Sequence, residues 1–371
     1  SENSMEASYI DDIEVYAVST LKDTVQFLKG EKEIERLKVK SFESALSERT
    51  YKNDFAYVKG QVSAKRALEI AAAGGHNILL IGPPGSGKTM LAKCFPSILP
   101  DMTFEESLEV TKIHSVAGLI DSQKGIVVER PFRSPHHTAT LIALTGGGTK
   151  AKPGEISLAH NGVLFLDEMP EYARNTIETL RQPMEDGYIT VSRNANTVQY
   201  PASFILVASM NPCPCGYYGN GTDQCKCSPT AIHNYLNKIS GPLMDRIDLH
   251  IEVDSVKYED LSDDRLEEKS ADIKKRVDKA RKIQLERFKD TNIYSNSKMG
   301  EKEFKKFCKL DTSCTDLVEM AFRKLNLSAR AYNRILKVAR TIADHDGKEN
   351  IEKQHILEAI QYRTLDKKYK V

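Results

Sequence analysis

The stretch Gly82-Pro83-Pro84-Gly85-Ser86-Gly87-Lys88-Thr89 has the composition of a polyphosphate cradle. Glycines leave backbone N–H groups free to converge on phosphate oxygens, Lys88 brings a mobile cation to the β- and γ-phosphates, and Thr89 offers a hydroxyl to Mg²⁺. Asp167 and Glu168 follow a later apolar run. There Asp167 would hold Mg²⁺, directly or through water, and Glu168 would polarise an attacking water, the general-base part of phosphoryl transfer. The plainer reading of Asp-Glu-Met-Pro-Glu is a carboxylate pair that only caps the next helix. Asn211, after a third apolar run, can reach the same water or the γ-phosphate as a neutral hydrogen-bonding group; an Asn-Pro turn is its plainer reading. Together these residues point to Mg²⁺-dependent ATP hydrolysis.

Such a site needs a strand–loop–helix frame. The runs Asn77–Ile81, Gly162–Leu166 and Ser203–Ala208 are continuously apolar and alternate with helical patterns between Tyr51 and about Val253. That pattern predicts a buried parallel sheet flanked by helices, an α/β fold with ligand groups at the carboxyl ends of its strands. Residues 11–30 read as a short strand, Glu14–Val18, and a helix carrying Leu21, Val25 and Leu28 that Gly30 closes; residues 1–10 read as linker and 31–50 as a linker or exposed helix. Dense charge from Asp263 to Asp290, with Ile273, Val277, Ala280 and Ile283 at helical steps, predicts one long helix leaving the core. Residues 300–371 carry only helical patterns, with Gly347 stopping one over Ala331–Ala343 and another running from Gln354 to Arg363. The expected divisions are 1–50, 51–255 for the phosphate-binding core, 256–290 for the linker helix and 291–371 for a small all-α unit.

The 371-residue chain is 40% hydrophobic, an ordinary globular composition. Its net charge of +1 hides an asymmetry, since residues 291–371 carry 17 Lys and Arg against 11 Asp and Glu. The excess weakly favours an acidic partner. No apolar run approaches the roughly 18–20 residues that cross a bilayer, and no signal peptide is legible, so a cytoplasmic location without membrane contact is expected. Seven cysteines in this length do not make a disulfide scaffold; where they cluster they suggest metal.

Several segments resemble the ComM/YifB family of magnesium-chelatase-like AAA+ ATPases, in the helix-2-insert clade. They are Gly60-Gln61 with Ala64–Glu69, Gly74-Gly75-His76-Asn77, Arg130–His137, Pro153–Gly162, Asn211-Pro212-Cys213-Pro214-Cys215-Gly216, Ser240–Leu249 and Leu327–Tyr332. The likeness runs from Tyr16 almost to Thr364. It implies an AAA+ P-loop core followed by a helical lid. It also implies that Arg246 is the arginine finger entering a neighbouring subunit's ATP site, and that Arg330 is the lid's sensor-2 arginine. A finger in trans implies a ring homo-oligomer, expected to be hexameric, whose hydrolysis depends on assembly. Arg330 lies two residues after Ser328, a suitable N-cap, in the first turn of a helix. For either arginine a surface salt bridge is the bland alternative. Residues 14–30 resemble the last strand and helix of the family's N-terminal Lon/S5-like domain.

Cys213-x-Cys215 and Cys225-x-Cys227 can converge on one tetrahedral ion, for which Zn²⁺ suits four thiolates best; reduced loop thiols or labile disulfides are the other readings. The segment containing Arg130, Arg133, His136, His137, Gly146–Gly148, Lys150 and Lys152 can approach a phosphate backbone. So can a hairpin over Gly187–Val198 whose turn near Asn194 would present Arg193. In the clade this chain resembles, such hairpins line a central pore, which makes DNA the expected track; subunit-contact loops are the alternative. The resemblance thus implies a DNA motor, translocating or migrating branches in recombination or natural transformation. A chaperone-like or regulatory ATPase with a protein client, and a magnesium-chelatase-type motor subunit, are the competing readings.

Overall fold

The structure is a computed structural model. It describes all residues except 1–3, 12, 48, 122–123, 149–150, 194–195, 220–223, 257–264, 326 and 370–371. Lys150 therefore lies outside the described residues, and of Arg193 only the backbone is described.

Five strands form one parallel sheet, in the spatial order Phe132–Arg133, Val163–Leu166, Ile205–Met210, Ile78–Ile81, Leu249–Glu252. The register pairs Ile78 with Val207 on one side and Leu249 on the other, and Val163 with Ile205. Ile78–Ile81 and Val163–Leu166 are buried along their whole length, which is why their sequences do not alternate. Asn77 stitches the amino edge of the sheet. Its Oδ1 accepts from Leu206 N at 2.8 Å and its Nδ2 donates to the Arg246 carbonyl at 3.1 Å, so one side chain fixes the start of three neighbouring strands. Beside it, the backbone at Gly74 has no room for a side chain, because a Cβ would meet the His76 ring at 2.3 Å.

The helix expected to leave the core instead lies on it. Ser270–Arg287 buries Ile273, Val277 and Ala280, each fully buried large aliphatic contributing about 1.5–3 kcal/mol. It packs on helix Val62–Gly74, where Arg281 and Gln284 donate to the Ala73 carbonyl and Arg276 pairs with Glu69 at 2.6 Å. Part of its charge faces out and part is paired against the core, and the apolar stripe decides its position.

The C-terminal helices Thr312–Leu325, Ala329–His345 and Lys353–Gln361 share one buried cluster with helix Val62–Gly74 and a face of the sheet, which includes Ile335, Leu336, Val338, Ile342 and Ile356 with Leu68, Ile70 and Ile78. The Ser328 hydroxyl accepts from Ala331 N at 3.2 Å, as an N-cap does. Gly347 has φ +68°, the left-handed backbone that ends a helix at little cost to glycine. At the N-terminal end of the chain, Leu21–Leu28 is a helix with a Thr20/Asp23 capping box, while Tyr16 makes only an isolated bridge to Arg36 rather than a strand. Among the described residues no helix is long and apolar enough to cross a membrane.

Candidate active site

The phosphate loop leaves the carboxyl end of Ile78–Ile81 and enters helix Lys88–Cys94. Its geometry demands glycine. A Cβ on Gly82 would lie 2.2 Å from the Val253 carbonyl oxygen, and Gly85 and Gly87 sit at φ +75° and +91°. Alternating left-handed residues turn successive N–H groups into one concavity, the arrangement that takes an anion. Gln61, itself at φ +55°, braces the loop from outside by donating to the Ser86 carbonyl at 3.3 Å and the Asp254 carbonyl at 2.6 Å.

Lys88 is buried, with Nζ donating to the Gly82 and Pro83 carbonyls at 2.7 and 2.8 Å and to Asn211 Oδ1 at 3.3 Å. Burial pulls its pKa down, and the nearby charges of Asp167 and Glu168 partly restore it. Thr89 Oγ1 donates to Asp167 Oδ2 at 2.8 Å. A hydroxyl and a carboxylate oxygen that already touch are the donor set a Mg²⁺ between triphosphate and protein uses, so the residues fit that ion. The predicted phosphate, magnesium and asparagine groups therefore converge at one edge of the sheet.

Two features behind Asp167 escaped the sequence reading. Ser209, fully buried, donates to the second Asp167 oxygen and accepts from Glu168 N at 3.0 Å, fixing both acids from the neighbouring strand. Its one legible signal is a lone hydroxyl in the apolar run Ile205–Met210. Glu168 has φ +52°, a conformation costly for a non-glycine residue. It leaves the carboxylate exposed beside the loop rather than folded onto the next helix.

Arg246 and Arg330 are elsewhere. Arg246 precedes strand Leu249–Glu252, and Arg334 reaches its carbonyl at 2.8 Å from helix Ala329–His345. This helix thus crosses the amino edge of the sheet, opposite the phosphate loop, and does not cover the loop of its own chain. The Arg246 side chain is only 3% exposed. Its Nη1 donates to the Pro242 carbonyl at 2.7 Å, Nη2 contacts Glu185 Oε2 at 2.5 Å, and Nε is buried without a partner. Arg330 is exposed, with Nε 3.9 Å from Glu185 Oε1. Glu185, which sequence reasoning passed over, thus bridges both arginines; Arg246 first, then Arg330, hold its carboxyl below the usual range.

The basic candidates divide. Arg133 is committed to Glu155, with two N–H groups on its two oxygens at 2.6 and 2.7 Å, so its charge is neutralised inside the fold rather than offered to a partner. Arg130 is likewise spent on the Pro100 and Asn161 carbonyls and Glu106. Lys152 is exposed on a two-stranded ribbon, Gly146–Gly147 against Lys152–Pro153. The hairpin Tyr188–Arg193 with Asn196–Pro201 stands beside it, tied by Tyr200 Oη donating to the Ala151 carbonyl at 2.8 Å.

The four loop cysteines meet. Their Sγ atoms all lie within 4.8 Å of one another, and no other such metal-capable group occurs among the described residues. Cys94, Cys308 and Cys314 are separate buried thiols.

A glycine-rich phosphate loop, a carboxylate pair at the carboxyl edge of a parallel sheet and an adjoining asparagine define a P-loop nucleoside triphosphatase. The comparisons narrow the class. Residues 54–261 match the family model of magnesium chelatase, subunit ChlI, and residues 267–363 match that of its C-terminal part. The chain is 47% identical to the competence protein ComM of Haemophilus influenzae over 98% of its own length and 70% of that protein. It is 46% identical to the uncharacterized protein YifB of Escherichia coli over 94% of its own length and 67% of that protein. The magnesium-chelatase 38 kDa subunit of Cereibacter sphaeroides is more distant, at 25% over 43% of the chain. The chain belongs to the ComM/YifB family of magnesium-chelatase-like AAA+ ATPases.

Proposed function

We propose that this chain is an ATP-driven motor that acts on DNA as a hexameric ring in the recombination of incoming or branched DNA. The observation that carries the reading is the linkage through Glu185. Helix Arg181–Asp186 holds Arg246 by Glu185 and, after Gly187, runs directly into the hairpin that begins at Tyr188. The segment suited to a phosphate backbone is therefore built on the residue that grips the arginine suited to a neighbour's ATP. The name of the competence protein that the chain resembles agrees with DNA as the track.

In this reading the loop 82–89 and Lys88 bind the triphosphate, Thr89 and Asp167 hold Mg²⁺, Glu168 takes the proton of the attacking water and Asn211 orients that water. Mg²⁺, when bound, neutralises charge on the β- and γ-phosphate oxygens. Arg246, at the far edge of its own sheet, completes the site of the adjacent subunit, and Arg330 shares its edge and its Glu185 contact. Lys150, Lys152 and Arg193 face the DNA. We read residues 1–50 as a linker with the remnant of a preceding domain, 51–255 as the motor core, 256–290 as the connecting helix and 291–371 as the sensor-2 unit, and we place the protein in the cytoplasm. Cys213, Cys215, Cys225 and Cys227 hold a structural Zn²⁺.

The test is ATP turnover against single-stranded, duplex and junction DNA with assembly followed in parallel. At least one DNA form should raise turnover severalfold, and Lys152→Glu with Arg193→Glu should abolish that rise while leaving basal turnover. No stimulation by any form contradicts the reading and favours a protein client.

A further inference from the structure

The four-cysteine loop is pressed against the phosphate loop. The strand Ile205–Met210 leads into Asn211, whose side chain accepts from Lys88, and two residues later Cys213 is fully buried. Gly216 N donates to the Cys213 carbonyl at 3.0 Å, closing a tight turn at φ +87°. A Cβ on Gly216 would lie 2.4 Å from Pro84 Cδ and 2.8 Å from its Cγ. Pro84 is in the middle of the phosphate cradle, so the turn and the cradle are in backbone-level contact. On its other side the loop meets the chain's last segment, where a Cβ on Gly219 would lie 2.9 Å from Lys368 Cε. Tyr369 anchors that segment by donating to Glu252 at 2.8 Å.

The sulfurs are spaced for an ion. Cys213–Cys215, Cys215–Cys225 and Cys213–Cys225 Sγ separations are 3.3, 3.7 and 3.8 Å. A tetrahedral zinc with Zn–S bonds of about 2.3 Å sets sulfurs roughly 3.8 Å apart, whereas a disulfide needs about 2.0 Å. Four protein ligands leave no open position, so such an ion holds structure rather than performing chemistry. Among the described residues of the loop, Pro212, Cys213 and Gly216 are buried at its base, while Tyr218 and Gly219 further out are exposed.

We infer that a zinc ion on these four cysteines is a clamp for the ATP site: it fixes the Asn211–Gly216 turn against Pro84, and so keeps the phosphate loop and Asn211 in register for hydrolysis. The inference rests on the zinc reading above and adds that ATP turnover depends on metal occupancy at a site that contacts neither the attacking water nor the phosphate. Cys213, Cys215, Cys225 and Cys227 are positioning residues in this scheme.

The test uses the full chain, purified under reducing conditions without chelator. Elemental analysis should find one zinc per chain. Stripping with a high-affinity zinc chelator should lower ATP turnover at least tenfold and weaken binding of a fluorescent ATP analogue, with the far-UV circular dichroism kept and activity restored by added Zn²⁺. Chain that takes up no zinc, even when supplied with it, removes the metal and the clamp together. Chain that binds zinc yet hydrolyses ATP equally well after stripping leaves the metal reading standing and overturns the clamp. Should stripping unfold the chain, Gly216→Ala decides. It keeps all four thiols, so the clamp predicts full zinc content with weakened analogue binding; folded, zinc-loaded variant with wild-type binding overturns it.

Discussion

At the scale of single residues, the proposed ATP site divides into groups placed to meet phosphate or the attacking water and groups that aim them. Glu168→Gln removes the base and leaves the cradle, so turnover should fall at least a hundredfold while ATP-analogue affinity stays within about twofold. A variant that still turns over would assign the base elsewhere. Ser209→Ala tests the aiming. It removes the hydroxyl that donates to Asp167 and accepts from Glu168 N, and should cost about tenfold in turnover with little change in ATP affinity, read from kcat against KM. The convergence of these groups was legible because their patterns are local: Gly82, Lys88 and Thr89 fall within one short glycine-rich loop, and Asp167 and Asn211 each follow an apolar run. Ser209, Glu185 and the contact between Gly216 and Pro84 were not. Each is defined by a partner 41 to 145 residues away across the fold, and no local pattern encodes that.

Among elements, the charge-rich helix Ser270–Arg287 is the instructive case. Its composition suggested an exposed strut, but three helices meet at one buried acid on its inner side. Glu69, on helix Val62–Gly74, accepts from Arg276 of that strut at 2.6 Å and contacts His345 Nε2, on helix Ala329–His345, at 2.7 Å. Burial alone would raise the Glu69 pKa; the hydrogen bonds from His345 and Arg276 outweigh it and hold the group down to about 2. A carboxylate depressed in the folded state contributes stability that is complete above its unfolded value of about 4.3 and is lost as pH falls toward 2. Melting temperature should therefore drop as pH goes from about 4.5 to 2, and Glu69→Gln should lower it at pH 7 and flatten that acid limb. An unchanged slope in Glu69→Gln would place the acid sensitivity in other carboxylates. The helix Ser270–Arg287 was legible from Ile273, Val277 and Ala280; its place on the core and the shared acid were not, since both depend on partners distant in the chain, and Glu69 sits in an unremarkable helical stretch.

For the whole molecule, the arrangement sets the two proposed half-sites at opposite edges of one sheet. The phosphate loop, Asp167, Glu168 and Asn211 stand at the carboxyl edge, and Arg246 and Arg330, bridged by Glu185, stand at the amino edge. A monomer cannot bring its own Arg246 to its own phosphate without unfolding the strand between them. Glu185→Ala should consequently lower DNA-stimulated turnover more than basal turnover, because it uncouples the hairpin from Arg246; equal losses in both would reduce Glu185 to a structural ion pair.

The most direct test of a shared site is a mixing experiment. Arg246→Ala keeps its cradle and lacks the finger, while Lys88→Ala keeps the finger and lacks the cradle. Each alone should be nearly inactive, and an equimolar mixture, allowed to exchange subunits, should recover ATP turnover from those interfaces that pair an intact cradle with an intact Arg246. A mixture no more active than its components, with co-assembly shown by native mass spectrometry, would contradict a site built from two subunits.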